Sequence, residues 1–173
     1  GAGADSGTFD YFTEAIVGKA KAIRTDYQPT EDDNVTIKGV AGDTYAMGFL
    51  GYAYYEENKD KVKAVAIDHG KGCVLPSRET VLDGTYQPLS RPLFIYVNVK
   101  SLDRPEVQAF VDFYLSPAAR RAIRSTGYVE LPSEAYRIGQ ELVKRRKAGT
   151  FFMELPAGTP LSKFIQELDK ELR

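Results

Sequence analysis

The sequence predicts an α/β fold, and three observations carry the prediction. Helical-period and strand-like patterns alternate along the chain, and residues suited to helix starts and stops punctuate them. The composition is that of a packed unit, with 43% hydrophobic and 27% charged residues. A chain of 173 residues can bury roughly 70% of the surface it exposes when unfolded, enough for a single core.

The elements follow in order. Phe9, Phe12, Ala15 and Ile16 recur at helical spacing behind a Ser6-Gly7-Thr8 turn, and Gly18 ends the pattern. Residues 25–33 read as a polar loop, after which Asp33 or Asn34 caps a short helix through Val35, Ile37 and Val40. Residues 46–50 read as a short buried strand, 52–58 as a helix and 62–67 as a core strand. Pro76 opens a helix of one to two turns with Ser77 and Glu79 at its positive end. Residues 93–99, dense in β-branched and aromatic side chains, make the strongest strand pattern, and the prolines at 88 and 92 stiffen its lead-in.

Helices fill the remainder. Pro105 starts one whose apolar face is Val107, Phe110, Val111, Tyr114 and Leu115. Ser116-Pro117 opens the next, which stops before Gly127; residues 128–131 are extended, and Ser133 caps a helix ending in the basic run 144–147. That run is read as a solvated helix end whose cations complement the dipole. The last helix, started by Thr159-Pro160, carries Leu161, Phe164, Ile165, Leu168 and Leu172 on one stripe. Such a stripe needs a partner surface, on this chain or on a second copy.

The chemistry-bearing feature is the run Asp5-Ser6-Gly7-Thr8. A helix start leaves its first amide N–H groups without intrahelical partners and carries partial positive charge, so it holds an oxyanion without any lysine. Gly7 allows close approach to the backbone, and Ser6 and Thr8 add hydroxyl donors. The same residues are also ordinary helix caps.

Other chemistries find little support. The net charge of −1 offers no field for nucleic acid or an anionic membrane surface, and no apolar run approaches the ~18 residues of a membrane span. The one cysteine, Cys73, permits no intrachain disulfide, and its apolar neighbours suggest a buried, inert thiol. His69 stands alone, without partners for a metal site or a catalytic dyad. Glu31-Asp32-Asp33 lacks the spacing of a calcium loop and reads as a solvated turn. Tyr52, Tyr54 and Tyr55 are read as core packing rather than a sugar-stacking face. No cofactor is implied.

The words Asp5-Ser-Gly-Thr-Phe-Asp-Tyr-Phe-Thr-Glu14, Arg24-Thr-Asp-Tyr27, Glu31-Asp-Asp-Asn34, Gly48-Phe-Leu-Gly-Tyr-Ala-Tyr-Tyr-Glu-Glu-Asn58 and Pro88-Leu-Ser-Arg-Pro-Leu-Phe-Ile-Tyr-Val97 occur in this order. Together they resemble the phosphate-binding proteins of bacterial ABC phosphate importers, the PstS family, from about Gly3 to Phe152. The resemblance implies a type II periplasmic-binding-protein-like, doubly wound α/β lobe with additional C-terminal helices. It implies residues 1–92 as phosphate-binding lobe two, and residues 93–173 as a crossover strand plus helices that pack on a missing first lobe. On this reading the chain is a fragment holding half a site, and its uncovered apolar surface makes a homodimer one expectation.

The resemblance also implies inorganic phosphate as ligand and an ABC transporter permease as partner. The implied location is periplasmic or extracellular, with a membrane anchor allowed in a full-length protein. Ser6, Gly7 and Thr8 match the family's Ser-Gly-Thr, whose amides and hydroxyls bind phosphate oxygens. Many family members carry arginine four residues before that serine, where this chain has Ala2. Arg24 is the nearest replacement, as a bidentate phosphate contact oriented by Asp26 or Asp5, or else as a loop brace. Arg91 is read as bracing the crossover. Asp5 is read as a capping or arginine-orienting acid, because an ionised carboxylate repels phosphate.

Two other classes stay open at this point. One is a sensor or protein-interaction module built on the same scaffold. The other is a hydrolase using Ser6 or Thr8 as nucleophile, which lacks a positioned base in the sequence.

Overall fold

The computed structural model describes residues 1–149 and 155–173. The far end of the family resemblance, at Phe152, lies outside the described residues. The chain divides into two compact units, Gly1–Ser90 and Arg91–Arg173.

The first unit is built around α1, Gly7–Val17. Gly18 closes it in the left-handed region, φ 79°, with its amide on the Glu14 carbonyl at 2.9 Å, as a glycine without a Cβ can do at no steric cost. Phe9 is buried at 3% exposure and stacks on Tyr27, ring centroids 5.9 Å apart; Phe12 stacks on Phe49 at 4.2 Å. Thr13, 1% exposed, donates to the Phe9 carbonyl at 2.9 Å and accepts the Lys21 amide at 2.7 Å. A buried hydroxyl thus satisfies the loop that leaves the helix.

The helix α2 spans Asp33–Gly42, and its N-cap is Asp32, whose Oδ1 accepts the Asn34 amide at 2.9 Å. The sequence placed this cap one or two residues later. Thr36 and Ile37 bury its inner face. It packs against α3, Tyr52–Glu57. The two-residue strands β1, Ile67–Asp68, and β2, Cys73–Val74, pair antiparallel, with Ile67 opposite Val74. Then α4, Arg78–Leu82, starts with a full capping box: Ser77 Oγ accepts the Thr80 amide at 3.2 Å and Thr80 Oγ1 accepts the Ser77 amide at 2.9 Å.

In the second unit a 3₁₀ turn, Val99–Asp103, leads into α5, Pro105–Tyr114. Ser116 caps α6, Pro117–Ser125, through the Ala119 amide at 3.3 Å. The next helix, α7, is Ser133–Lys144, and α8 is Leu161–Lys170. Leu102, Val111, Ala119, Ala135, Tyr136 and Ile138 form the core of this unit. The Arg120 guanidinium carbon lies 4.5 Å from the centre of the Tyr136 ring. The α8 stripe packs on α7 within this chain, and Phe164 meets Phe94 at 6.1 Å.

Several expectations are corrected. Residues 46–50, 62–66 and 93–99 form no strand among the described residues. A strand needs a neighbour for its N–H and C=O groups, and these segments have no ladder partner there. Their apolar side chains are correspondingly uncovered: Met47 is 81% exposed, Val65 64% and Tyr96 77%. Phe110 leaves the expected inner face of α5 at 59% exposure, while Val111 is buried at 2%. Ser133 is the first helical residue rather than the cap, Pro132 flanks it, and its hydroxyl accepts from Arg120 at 2.8 Å. Cys73 is exposed rather than buried, because the β1–β2 hairpin is a two-residue ladder too small to cover both its faces.

Ile138 is the most completely buried large side chain in the second unit, at 0% exposure. Ile138→Ala removes methylenes from a packed site and is expected to lower stability by roughly 2–5 kcal/mol. The urea midpoint followed by helical circular dichroism checks this.

Candidate functional site

The site begins at the turn before α1. The Ser6 amide donates to the Gly3 carbonyl at 3.0 Å, closing the turn, and the Ser6 carbonyl accepts the Asp10 amide at 3.2 Å. Ser6 itself is extended, φ −90° and ψ 130°, and its Oγ accepts the Thr8 amide at 3.2 Å. This is N-cap geometry. It leaves the Gly7 and Phe9 amides without a protein acceptor among the described residues. Gly7 is exposed, and Ser6 and Thr8 are half-buried.

The arrangement therefore presents backbone amides, two hydroxyls and the positive end of an 11-residue helix to one side of the turn. The Thr8 amide is the weakest of these as a free donor, since Ser6 already occupies it. An incoming oxyanion competes with Ser6 Oγ for that amide, and the freed hydroxyl can then donate to the anion.

Arg24 makes the contact with Asp26 that was expected to orient it. Its guanidinium forks onto Asp26, Nε to Oδ1 at 2.8 Å and Nη2 to Oδ2 at 2.6 Å, with both side chains exposed. The hydrogen bonds raise the Arg24 pKa and lower that of Asp26. The pair fits an oriented guanidinium and a loop brace alike. Asp5 is exposed in the turn and performs neither duty expected of it: Ser6 caps the helix, and Asp26 orients the arginine.

Other carboxylates border the site. A Cβ built on Gly3 would lie 1.9 Å from Glu31 Oε1, so the Glu31 carboxylate lies against the turn and its flexible end would have to shift for a larger residue. The Asp33 carboxyl is raised, first by burial and then by repulsion from Asp32. Asp10, in the first turn of α1, has Oδ1 4.0 Å from Lys21 Nζ. Sequence reasoning missed the approach of Glu31 to Gly3, because the two are 28 positions apart in the chain.

His69 lies in the exposed turn between β1 and β2, where Asp68 Oδ1 accepts the Gly70 and Gly72 amides at 2.8 and 3.0 Å. Among the described residues no group of histidine, cysteine and carboxylate side chains could hold a metal ion. Nor is any helix there long and apolar enough to cross a membrane.

Residues 1–118, the turn and α1 included, match the model of the PBP superfamily domain. The chain belongs to the PBP superfamily. This PBP superfamily chain is 51% identical over 167 residues to Protein SphX of Synechocystis sp., covering 93% of this chain and 49% of that protein. It is 38% identical over 133 residues to the phosphate-binding protein PstS of Staphylococcus haemolyticus, covering 76% of this chain and 40% of that one. Among solved structures it is similar to a possible phosphate binding protein from Planctomyces limnophilus, with TM-score 0.68, 43% identity and coverage of 85% of this chain and 52% of that one. The helix-rich units with few paired strands are accordingly part of a PBP-type α/β fold. The chain spans about half the length, or less, of these relatives.

The cap on this PBP superfamily chain can be tested apart from any ligand. Ser6→Ala is expected to destabilise the first unit by about 1 kcal/mol, and Ser6→Gly by only a few tenths. Urea unfolding of the two variants side by side checks the ranking.

Proposed function

We propose that this chain supplies one half of an inorganic-phosphate site in the substrate-binding component of an ABC phosphate importer. The observation that carries the reading is the start of α1, where Ser6, Gly7 and Thr8 present amides and hydroxyls around an exposed glycine. Similarity to the staphylococcal phosphate-binding protein and to the possible phosphate binding protein from Planctomyces limnophilus supports phosphate as the anion.

In this reading the Gly7 amide and the Ser6 and Thr8 hydroxyls replace water around phosphate oxygens, and the helix dipole offsets part of the charge. Arg24 can join the shell through the guanidinium N–H groups that Asp26 does not take, and Asp5 lies at the rim, unfavourable to anions until protonated. The second half of the shell comes from the part of the relatives' length that this chain does not span. That part also covers the apolar side chains of residues 93–96 and Phe110; otherwise a second copy of this chain covers them.

The role is capture and delivery to a permease outside the cytoplasmic membrane, in the periplasm or at the cell exterior, rather than turnover. Support for binding over hydrolysis comes from Ser6 itself. Its Oγ caps the Thr8 amide, and a nucleophilic serine needs a positioned base instead.

Calorimetric titration of the chain with sodium phosphate and then sodium sulfate at neutral pH tests the proposal. Binding of phosphate is expected in the millimolar range, about −4 kcal/mol, with little preference over sulfate because the half-site holds no acceptor dedicated to the phosphate proton. Ser6→Ala with Thr8→Val is expected to weaken it roughly tenfold or more, the scale of a charge-assisted hydrogen bond. Phosphate affinity unchanged in the double variant would contradict the assignment.

A further inference from the structure

Tyr11 sits one turn into the helix that presents the anion-binding turn, and its phenol reaches out of α1 to the other end of the first unit. The hydroxyl lies 2.6 Å from the Pro88 carbonyl oxygen and 3.0 Å from that of Ser90. Ser90 is the last residue of that unit. Pro88 is buried, and Tyr11 and Ser90 are half-buried, so these bonds form away from bulk water, where a hydroxyl without an acceptor is costly.

A phenol has one proton. With two carbonyls in range, donation to Pro88 and donation to Ser90 are discrete alternatives that flank Leu89. The proline after residue 87 and the one at 92 restrict the backbone between them, so a change of acceptor is resolved as a shift of residues 88–90 rather than absorbed by a loose loop. Further contacts of α1 are the aromatic stacking, the Thr13 bonds to Phe9 and Lys21, and the 4.0 Å Asp10–Lys21 ion pair.

We infer that Tyr11 is a positioning residue that couples occupancy of the Ser6–Thr8 turn to the segment by which the chain leaves its first unit. An anion drawn onto the Gly7 and Thr8 amides displaces the first turns of α1, Tyr11 moves with them, and the shared proton redistributes between the Pro88 and Ser90 carbonyls. Energetic coupling needs a two-state element biased by the ligand, and the shared hydroxyl is that element. The inference rests on the phosphate reading above.

Nuclear magnetic resonance of the isotope-labelled chain, titrated with sodium phosphate, separates the two. The Gly7 and Thr8 amide resonances report binding, and the carbonyl carbons of Pro88 and Ser90 report their hydrogen bonds. In the unaltered chain both sets are expected to shift along one binding curve. In Tyr11→Phe, the amides are expected to shift still while the two carbonyls lose their response. Amides that shift while the carbonyls stay fixed in the unaltered chain would overturn the coupling and leave the phosphate reading intact. Carbonyls that respond equally in Tyr11→Phe would also overturn it. Amides that do not shift would overturn both. The unaltered chain alone decides the first and last of these outcomes, so a poorly folded Tyr11→Phe does not remove the test.

Discussion

The capped start of α1 is the constraint on which the rest of the first unit depends. Ser6 must be extended to accept the Thr8 amide, and the same geometry aims the Gly7 amide outward. Everything packed around the helix holds that start in place. Phe9 and Phe12 stack on Tyr27 and Phe49, Thr13 ties down the Lys21 amide, and Tyr11 reaches residues 88 and 90. The proposed binding turn is thus ordered by core contacts before any anion arrives, which leaves small displacements of α1 rather than folding of the turn as the response to binding.

The electrostatics around the proposed anion site are unusual. Asp5, Asp10 and Glu31 lie close to the turn in sequence or in space, and the Arg24 guanidinium is held by Asp26. A carboxylate about 8 Å from a bound anion costs about 0.5 kcal/mol in water-like surroundings, so these groups weaken capture without abolishing it. The favourable terms are short-range, from amides and hydroxyls that touch the ligand. Such a site favours recognition by hydrogen-bond geometry over attraction by net charge. The chain's overall charge of −1 agrees with that division.

Several local signals held: Gly18 ended α1, Ser116 capped its helix, and Pro105 and Pro117 opened theirs. Others missed by a residue or two, since Asp32 rather than Asp33 or Asn34 caps α2, Ser77 rather than Pro76 stands at the start of α4, and Ser133 is helical. The strand expectations at 46–50 and 93–99 failed, and that at 62–67 held only at Ile67, because pairing is a property of two segments and hydrophobic pattern reports only one. Side chains acting across long separations were invisible for the same reason. Nothing in Tyr11 announces Pro88, and nothing in Gly3 announces Glu31. The Ser6 cap was legible because a cap is local. Arg24 and its partner Asp26 were legible together, since a guanidinium two residues from a carboxylate closes on it readily.

The most direct test of the central claim is crystallographic: crystals of the chain grown with arsenate, an isostere of phosphate, and anomalous diffraction recorded at the arsenic edge. The account predicts an anomalous peak beyond the start of α1, with arsenate oxygens about 2.7–3.2 Å from the Gly7 amide and the Ser6 and Thr8 hydroxyls. An ordered arsenate at the basic run 144–147, with nothing bound at the α1 turn, would contradict it.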